Sequence, residues 1–269
     1  KSYRIRCKTL LPSTNFSPEE VLALLVLCND LGENSRLPFF EPAKSAALKL
    51  VASLPTHLAE QLRATNQVLK IHRDKVNPLH DSQSTFDRLL RAYTKRQSIR
   101  IQYKGPLDKE PFSTLLSPYQ MLFSVRSWYV IGRSSMHREV RTFHIGRMCD
   151  LEETDNHYAI PSGWSLSRYF GNAWRMIPEA GPDSDVVVRF SPIVAQNVAE
   201  VRWHRTQRVE RNPDGSIDFH VTVSGLNEIS WWILGYGSNA EVLSPQPLRR
   251  LIARHLKAMA EKYSEEMSE

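Results

Sequence analysis

Length, composition and charge limit the classes of protein to which this chain can belong. Its 269 residues, 41% hydrophobic and 24% charged, suffice for two ordinary domains in a folded, soluble protein. No stretch approaches the roughly 18 uninterrupted apolar residues of a membrane span, and Lys1 to Arg6 lack the apolar core of a signal peptide. The net charge of +6 is compatible with an anionic partner, and equally with basic residues that only keep the chain soluble.

The cysteines argue against a disulfide framework and against a zinc site. Cys7, Cys28 and Cys149 are far apart, odd in number and without a CxxC pair. This usage is typical of the reducing cytoplasm, and neither a metal nor a cofactor is expected.

Amphipathic helices are predicted for the first part of the chain. Ser17 can cap a helix whose first position is Pro18, and Glu20 completes a capping box. Further helices are predicted at about residues 42–53 and 56–64. Because these elements are too short to hold a deep pocket, residues 1–78 are interpreted as a helical linker and dimerisation region.

The hydrophobic period then changes from helical to strand-like. A helix is predicted at residues 81–96, after which Ile99, Ile101 and Tyr103 alternate with polar residues as in a half-buried strand. Further short strands are predicted at residues 112–117, 119–124, 128–133, 140–145 and 149–154. A helix followed by short, tightly connected strands indicates a small closed barrel over residues 79–162.

The last part of the chain predicts a second α+β domain. Residues 163–182 are interpreted as a connector, within a Gly-, Ser-, Pro- and aromatic-rich stretch that contains one short helix. A strand, a helix, a hairpin turning at Asp214-Gly215, a helix, a strand and a long helix follow. Their predicted bounds are 185–190, 192–200, 206–211 with 216–223, 227–235, 240–243 and 247–264. This βαββαβ order with an added helix, over residues 183–269, is the ferredoxin-like pattern.

Motifs for catalysis are absent from the sequence. It contains no HExxH, GxSxG, Walker loop or GxGxxG, and its nine histidines are dispersed. An acidic cluster of Asp150, Glu152, Glu153 and Asp155 is more typical of a solvated strand end than of a metal site. The protein is therefore expected not to be an enzyme, and no catalytic residue is assigned.

A family resemblance becomes clear at Ser127-Trp128-Tyr129-Val130-Ile131-Gly132. This run resembles the signature strand of the WYL domain, with Val130 in place of the usual Leu. Ile101-Gln102-Tyr103 and Ser117-Pro118-Tyr119 match the preceding strands. The run from Arg141 to Arg147 is similar to the family's RxFxxxRI strand, with Gly146 where Asp is common and Met148 where Ile is common.

The remainder of the chain resembles the segments that flank a WYL domain in bacterial transcriptional regulators. Its end is similar to the WCX extension, notably at Trp231-Trp232-Ile233-Leu234-Gly235 and Glu241-Val242-Leu243. Its start, with Leu11-Pro12 and Ser17-Pro18-Glu19-Glu20, resembles the segment that joins a winged helix to the WYL domain. The winged helix-turn-helix itself is expected to be missing, with Lys1–Arg6 as the remnant of its last strand.

The resemblance implies an Sm-like WYL barrel that senses a ligand. Its implied ligand-binding residues are Tyr129, Arg141, His144, Arg147, Tyr119 and Arg126. Arginine forks suit phosphate, aromatic rings stack on bases, and histidine donates or accepts near neutral pH. Trp128 is expected to be core. Because Phe143 and Ile145 share alternation with the arginines, Arg141 and Arg147 must lie at strand ends or beside a bulge.

Two further basic runs stand in the last domain. Arg202, Trp203, His204, Arg205 and Arg208 form either a single-strand binding surface or a charged hairpin edge that prevents aggregation. Arg249, Arg250, Arg254 and Lys257 repeat at helical spacing. They are interpreted as the solvated face of the last helix, packed near a dimer axis.

These observations support two functional hypotheses. In the first, the chain is the ligand-sensing and dimerisation part of a regulator. A homodimer binds single-stranded nucleic acid or a nucleotide, and this binding changes the affinity of the absent winged helices for operator DNA. In the alternative, it is a WYL accessory protein that binds single-stranded RNA or DNA directly beside a defence nuclease. A nucleotide-processing enzyme, the third possibility, needs carboxylates or a metal near the arginines, and neither is predicted.

Overall fold

A computed structural model describes residues 16–32, 40–52, 54–60, 64, 83–106, 108–124 and 127–263. The chain forms two compact units, residues 1–158 and 159–269. No helix among the described residues has both the length and the apolarity to cross a membrane.

The first unit begins with two packed helices, α1 (Pro18–Gly32) and α2 (Phe40–Ala52), and residues 56–60 and 64 are also helical. The predicted capping box starts α1: the Ser17 N–H donates to Glu20 Oε2 at 2.7 Å, and the Glu20 N–H donates to Ser17 Oγ at 3.3 Å. A small apolar cluster joins these helices through Val21, Cys28, Ala47, Val51 and Ala59. Burial raises the pKa of the Cys28 thiol, as expected for a structural cysteine.

A helix and a five-stranded sheet complete the first unit. Helix α3 spans Gln83–Lys95. The strands are β1 (Gln97–Tyr103), β2 (Phe112–Ser124), β3 (Ser127–Ser134), β4 (Val140–His144) and β5 (Met148–His157). They pair antiparallel in the order β4-β3-β2-β1-β5, so the last strand returns to the first.

The core of this unit lies between α3 and the sheet. Phe86 and Leu89 of α3 are buried against strand residues that are also closed to solvent, namely Ile99, Ile101, Leu116, Val130 and Phe143. Alternation explains the strand contribution, since Ile99 and Ile101 lie on one face of β1. Packing of the predicted amphipathic helix on a half-buried strand is confirmed.

Two strand predictions in this unit were wrong in detail. The two strands predicted at residues 112–117 and 119–124 are one strand, β2, whose register shifts between Pro118 and Gln120. A bulge absorbs the irregularity without ending the strand. The strand predicted at 140–145 stops at His144, and Ile145–Arg147 form a 3₁₀ turn. This break lets Ile145 be buried while Arg147 is exposed.

The second unit contains a four-stranded antiparallel sheet and helices. After a short helix α4 (Leu166–Phe170), the order is β6 (Ser184–Phe190), α5 (Pro192–Ala199), β7 (Arg208–Arg211), β8 (Ile217–Val223), α6 (Asn227–Leu234), β9 (Ala240–Ser244) and α7 (Gln246–Lys262). The strand order is β7-β8-β6-β9. The predicted elements are thus present in the predicted order, within a few residues at each boundary.

A large apolar core fills the second unit. Val186, Val188 and Phe190 alternate inward from β6, and Phe219 does so from β8, with Trp232 of α6 packed against them. Both units combine helices with an antiparallel sheet, and neither sheet's pairings close into a ring among the described residues. The protein is therefore α+β.

Candidate ligand site and family membership

A tyrosine and a histidine face each other on β3 and β4, the two neighbouring strands at one edge of the first sheet. Tyr129 on β3 is the register partner of His144 on β4. Their ring centroids are 5.2 Å apart at an interplanar angle of 82°, an edge-to-face contact, and both side chains are half-buried. The antiparallel register therefore brings together two of the residues implied by the sequence.

The His144 ring combines burial with an unused polar atom. Its Nδ1 is buried and has no hydrogen-bond partner among the described residues. Burial, and then the positive charge of Arg147, lower the pKa of His144. The imidazole is therefore neutral near pH 7, so that Nδ1 can donate or accept a hydrogen bond according to the tautomer.

Arg147 and Arg141 differ in their surroundings. Arg147 is exposed at the end of the 3₁₀ turn, and its guanidinium has no ion pair with any residue that the structure describes. Arg141 pairs with Glu139, with Nε 2.7 Å from Oε1. Arg141 also lies three positions before His144 on β4, which directs the two side chains to opposite faces. The structure therefore brings Tyr129 and His144 together and places Arg147 close enough to His144 to lower its pKa, whereas Arg141 lies on the other face of β4.

Tyr119, another implied ligand residue, packs against a different set of residues. Tyr119 is 4% exposed and stacks on Tyr158, with centroids 6.0 Å apart. The Tyr158 hydroxyl donates to the Pro118 carbonyl, and burial raises its pKa despite a hydrogen bond with Arg96. Tyr119 thus has the surroundings of a core residue. Arg126 lies outside the described residues.

Trp128 is confirmed as a packing residue. Its ring contacts Phe86 at 4.8 Å and Phe123 at 5.5 Å, and it packs against the core of the first unit. The signature strand therefore gives one aromatic side chain to the core and the next, Tyr129, to the pair with His144.

Sequence reasoning missed the residues that hold this site in place. The hydroxyl of Tyr103, which is buried, accepts the backbone N–H of His144 at 3.3 Å. At the β3–β4 turn, Ser134 Oγ lies 2.8 Å from both Thr114 Oγ1 and His137 Nδ1. Although a serine bonded to a histidine resembles a nucleophile with its base, Ser134 is closed to solvent, which indicates a structural role. Only Tyr103 had a sequence signal, its place in Ile101-Gln102-Tyr103.

The basic run of the second unit is only partly a free surface. Trp203 packs on Trp232 at 5.2 Å and donates to the Val198 carbonyl, and His204 is buried in a stack on Trp174. The neighbouring Arg205 binds Asn172 Oδ1 through Nε and a terminal nitrogen, and Arg208 pairs with Glu210. Arg202 is exposed. The aromatic rings of this run are therefore core, and its arginines form the outer surface.

Two members of the acidic cluster, Glu152 and Glu153, form ion pairs. Glu153 on β5 lies 3.4 Å from Arg91 and 3.8 Å from Arg88, and Glu152 lies 3.4 Å from Arg100. These are exposed pairs between β5 and its neighbours. Across the described residues, no group of three or more His, Cys, Asp or Glu is placed to hold a metal ion.

Two domain families match this chain, one within each of its two compact units. The WYL domain matches residues 84–153, which hold α3, the five-stranded sheet and the Tyr129–His144 pair. The WCX domain matches residues 182–260, which hold the four-stranded sheet and its helices. The chain therefore carries a WYL domain followed by a WCX domain, the order that the sequence resemblance implies.

Similar proteins extend over nearly the whole chain. Protein PafB of Mycobacterium leprae (strain TN) is 24% identical over 267 residues, which are 97% of this chain and 76% of that protein. Among solved structures, Proteasome accessory factor B/C (PafBC) of Arthrobacter aurescens is 20% identical, with a TM-score of 0.33. That match covers 92% of this chain, which spans only 36% of the PafBC chain. A CRISPR Cas-related protein is 11% identical, covering 92% of this chain and 72% of its own, with a TM-score of 0.49.

Proposed function

We propose that this chain is the ligand-sensing and dimerisation part of a DNA-binding transcriptional regulator. In this proposal the WYL domain binds an anionic effector, a nucleotide that is free or part of a single strand. The base stacks at Tyr129, His144 Nδ1 bonds a polar edge of the ligand, and Arg147 binds phosphate.

One observation carries the proposal: an unsatisfied buried imidazole nitrogen beside an aromatic ring and a cation without an ion pair. A buried polar atom without a partner costs stability, and among such atoms His144 Nδ1 is the one beside both Tyr129 and Arg147, so a ligand that bonded it would offset that cost. Arg147 is exposed and could give a phosphate a charge-assisted hydrogen bond. No carboxylate among the described residues forms an ion pair with Arg147. This combination is the chemistry that recognises a nucleotide.

We further propose that the first sheet is the wall of an Sm-like barrel and that the WCX unit is ferredoxin-like. The order β4-β3-β2-β1-β5, with the last strand returning to the first, supports a barrel that needs only the two outer strands to approach. The order β7-β8-β6-β9, with α5 and α6 as crossovers, supports the second assignment.

The same proposal assigns DNA binding to a winged helix outside this chain and makes the protein a homodimer. Effector and operator are then coupled reciprocally: each changes the affinity for the other by the same factor. The WYL-domain match and the PafB relative support a regulator. They support the absence of enzymatic activity only indirectly.

The proposal is tested by fluorescence anisotropy of short labelled single-stranded DNA and RNA titrated with the full chain. We expect micromolar or tighter binding whose affinity falls as salt is raised, because phosphate contacts release counterions. Arg147→Ala is expected to weaken binding by about tenfold or more, as for loss of one charge-assisted bond.

Arg133→Ala is the matched control, since Arg133 is an exposed arginine of β3 and its loss removes the same charge. Arg141→Ala separates the two implied arginines, and the ion pair with Glu139 leads us to expect a smaller effect than for Arg147→Ala. Equal losses of affinity in all three variants would mean that binding depends on overall positive charge and not on this site. If neither oligonucleotides nor mononucleotides bind, the nucleotide proposal is wrong.

A further inference from the structure

The end of strand β1 contacts both ends of the turn that presents His144 and Arg147. At the start of the turn, the hydroxyl of the buried Tyr103 accepts the backbone N–H of His144 at 3.3 Å. At its end, the backbone N–H of Lys104 donates to the Arg147 carbonyl at 3.2 Å. Between these two bonds, Ile145 is fully buried in the core. Tyr103 and the residue that follows it therefore hold the backbone of the candidate site.

This arrangement places a second basic side chain, that of Lys104, beside Arg147. Tyr103 on β1 and Met148 on β5 are register partners, and both pack in the core of the unit. Because side chains alternate along a strand, the next residue on each side, Lys104 and Arg147, points away from that core, and both are exposed. Opposite residues of an antiparallel pair lie on one face, with Cβ atoms about 4.5–5.5 Å apart. The two cations are therefore neighbours on the outer face.

Neither cation is neutralised by an acidic neighbour in the part of the chain that the structure describes. No described carboxylate forms an ion pair with Lys104 or with Arg147. Asp108, the acidic residue nearest to Lys104 in the sequence, instead accepts the backbone N–H of Gly105 at 2.8 Å. Like charges on one face repel each other, and an anion bound between them would turn that repulsion into attraction. The pair is thus suited to a ligand with more than one negative charge.

We propose that Lys104 is a second phosphate-binding residue of the effector site, and that this site takes a ligand with two neighbouring phosphate groups. Arg147 offers a planar fork of donors for one phosphate, whereas Lys104 is a flexible point charge that reaches the next. A nucleoside diphosphate and two successive nucleotides of a single strand share this chemistry. The inference rests on the effector site proposed above and adds to it the number of phosphates that the ligand presents.

The salt dependence of binding tests Lys104 with the short labelled single-stranded DNA and the full chain. Each phosphate contact to a single strand contributes about 0.7 to the slope of log affinity against log salt concentration. Lys104→Gln is therefore expected to reduce this slope by about 0.7, and to weaken binding at low salt by about threefold, as for one exposed charge pair. The variant keeps the backbone N–H that bonds the Arg147 carbonyl, so the turn stays in place.

Lys109→Gln is the matched control, because Lys109 is an exposed lysine of the same loop between β1 and β2 and its loss removes the same charge. It is expected to leave the slope unchanged. Equal reductions of the slope in the two lysine variants would contradict a specific role for Lys104, since they would reflect overall charge.

Competition by adenosine diphosphate and adenosine monophosphate against the labelled DNA tests the free nucleotide as the source of both phosphates. In that case the diphosphate is expected to displace the DNA at about fivefold lower concentration than the monophosphate. Lys104→Gln is expected to remove most of this difference, and Lys109→Gln to keep it. A difference that depends on Lys104 identifies a free nucleotide, whereas a reduced salt slope without it identifies a single strand, and either result supports the second phosphate contact.

The effector site and the second phosphate contact fail in distinguishable ways. If Arg147→Ala weakens binding while Lys104→Gln behaves as Lys109→Gln in both measurements, the contact is wrong and the effector site stands. If the unmodified chain binds neither the DNA nor the two nucleotides, both are wrong.

Discussion

At the scale of single residues, β3, the strand that carries Tyr129, approaches β2 closely at one glycine. Gly132, at the end of the signature run, pairs with Pro118 on β2 and with Arg141 on β4. A Cβ at this position would lie 2.3 Å from the Ser117 carbonyl oxygen and 3.0 Å from Pro118 Cα, both backbone atoms that cannot move alone. Glycine is required here by contact, on the same strand that carries Tyr129 opposite His144.

Gly132→Ala is accordingly expected to lower the free energy of unfolding by about 1–3 kcal/mol, the usual cost of forcing extra volume into a packed interior. Urea unfolding of the full chain measures it. Gly105→Ala is the control in the same unit, because the added Cβ would meet only the end of the Asp108 side chain and no backbone atom. A stability loss no larger at Gly132 than at Gly105 would contradict the close approach as described.

At the scale of elements, the segment predicted as a connector is integral to the second unit. Trp174 and Met176 are buried, and Trp174 packs on Trp232 with centroids 4.8 Å apart. The carboxylate of Glu228, in the first turn of α6, accepts the backbone N–H groups of residues 175–177 at 2.9–3.2 Å. These hydrogen bonds, the Glu228 clamp, hold residues 174–177 (the strap) against the start of α6. The helix dipole also favours a negative charge at that position.

Glu228→Gln is expected to destabilise the second unit by about 1.5–3 kcal/mol, the range for hydrogen bonds to a charged group. The amide keeps the shape of the side chain but loses the charge and one acceptor oxygen. Unfolding followed by tryptophan fluorescence reports it, because the strap and α6 both carry tryptophans of the core. Glu200→Gln, which removes an exposed carboxylate bonded to Gln196, should change stability by less than about 0.5 kcal/mol.

The range of each interaction decides whether the sequence could predict it. Local signals predicted the capping box of α1, the helical and strand periods, and the hairpin at Asp214-Gly215, where Gly215 has φ of +84°. Long-range contacts could not be predicted: the Glu228 clamp joins residues about fifty positions apart, and Tyr119 is buried by Tyr158. The choice between a strand end and a bulge for the arginines likewise needed the 3₁₀ turn, which no composition signal marks.

The site was predicted in part for the same reason. The family resemblance named Tyr129, His144 and Arg147, and the register of β3 and β4 brings the first two together. It also named Arg141, although alternation sends that side chain to the other face of β4. For Trp203 and His204 the basic neighbours suggested an outer surface, whereas the rings fill gaps around Trp232 and Trp174. Charge patterns therefore located the arginines better than the aromatic rings between them.

At the scale of the whole molecule, each unit contains a histidine whose pKa is lowered by burial. Burial is the main cause that lowers the pKa of His144 in the first unit and of His204 in the second. In the unfolded chain both have the ordinary value of about 6.5. Below that pH the unfolded state binds protons that the folded state binds less readily, so acidification favours unfolding.

Both units are therefore expected to lose stability as the pH falls from 7.5 to 5.5, and to show no histidine-dependent change between pH 7.5 and 8.5. Urea unfolding across this series measures the slope. His144→Gln should flatten the pH dependence of the first unit alone, and His204→Gln that of the second, even if each lowers stability at pH 7.5. Because the carboxylates Asp214 and Asp218 have pKa values lowered below 3.8, they stay ionised throughout and add nothing to the slope. Stability that increased on acidification would show that these imidazoles gain a proton on folding, contrary to their burial.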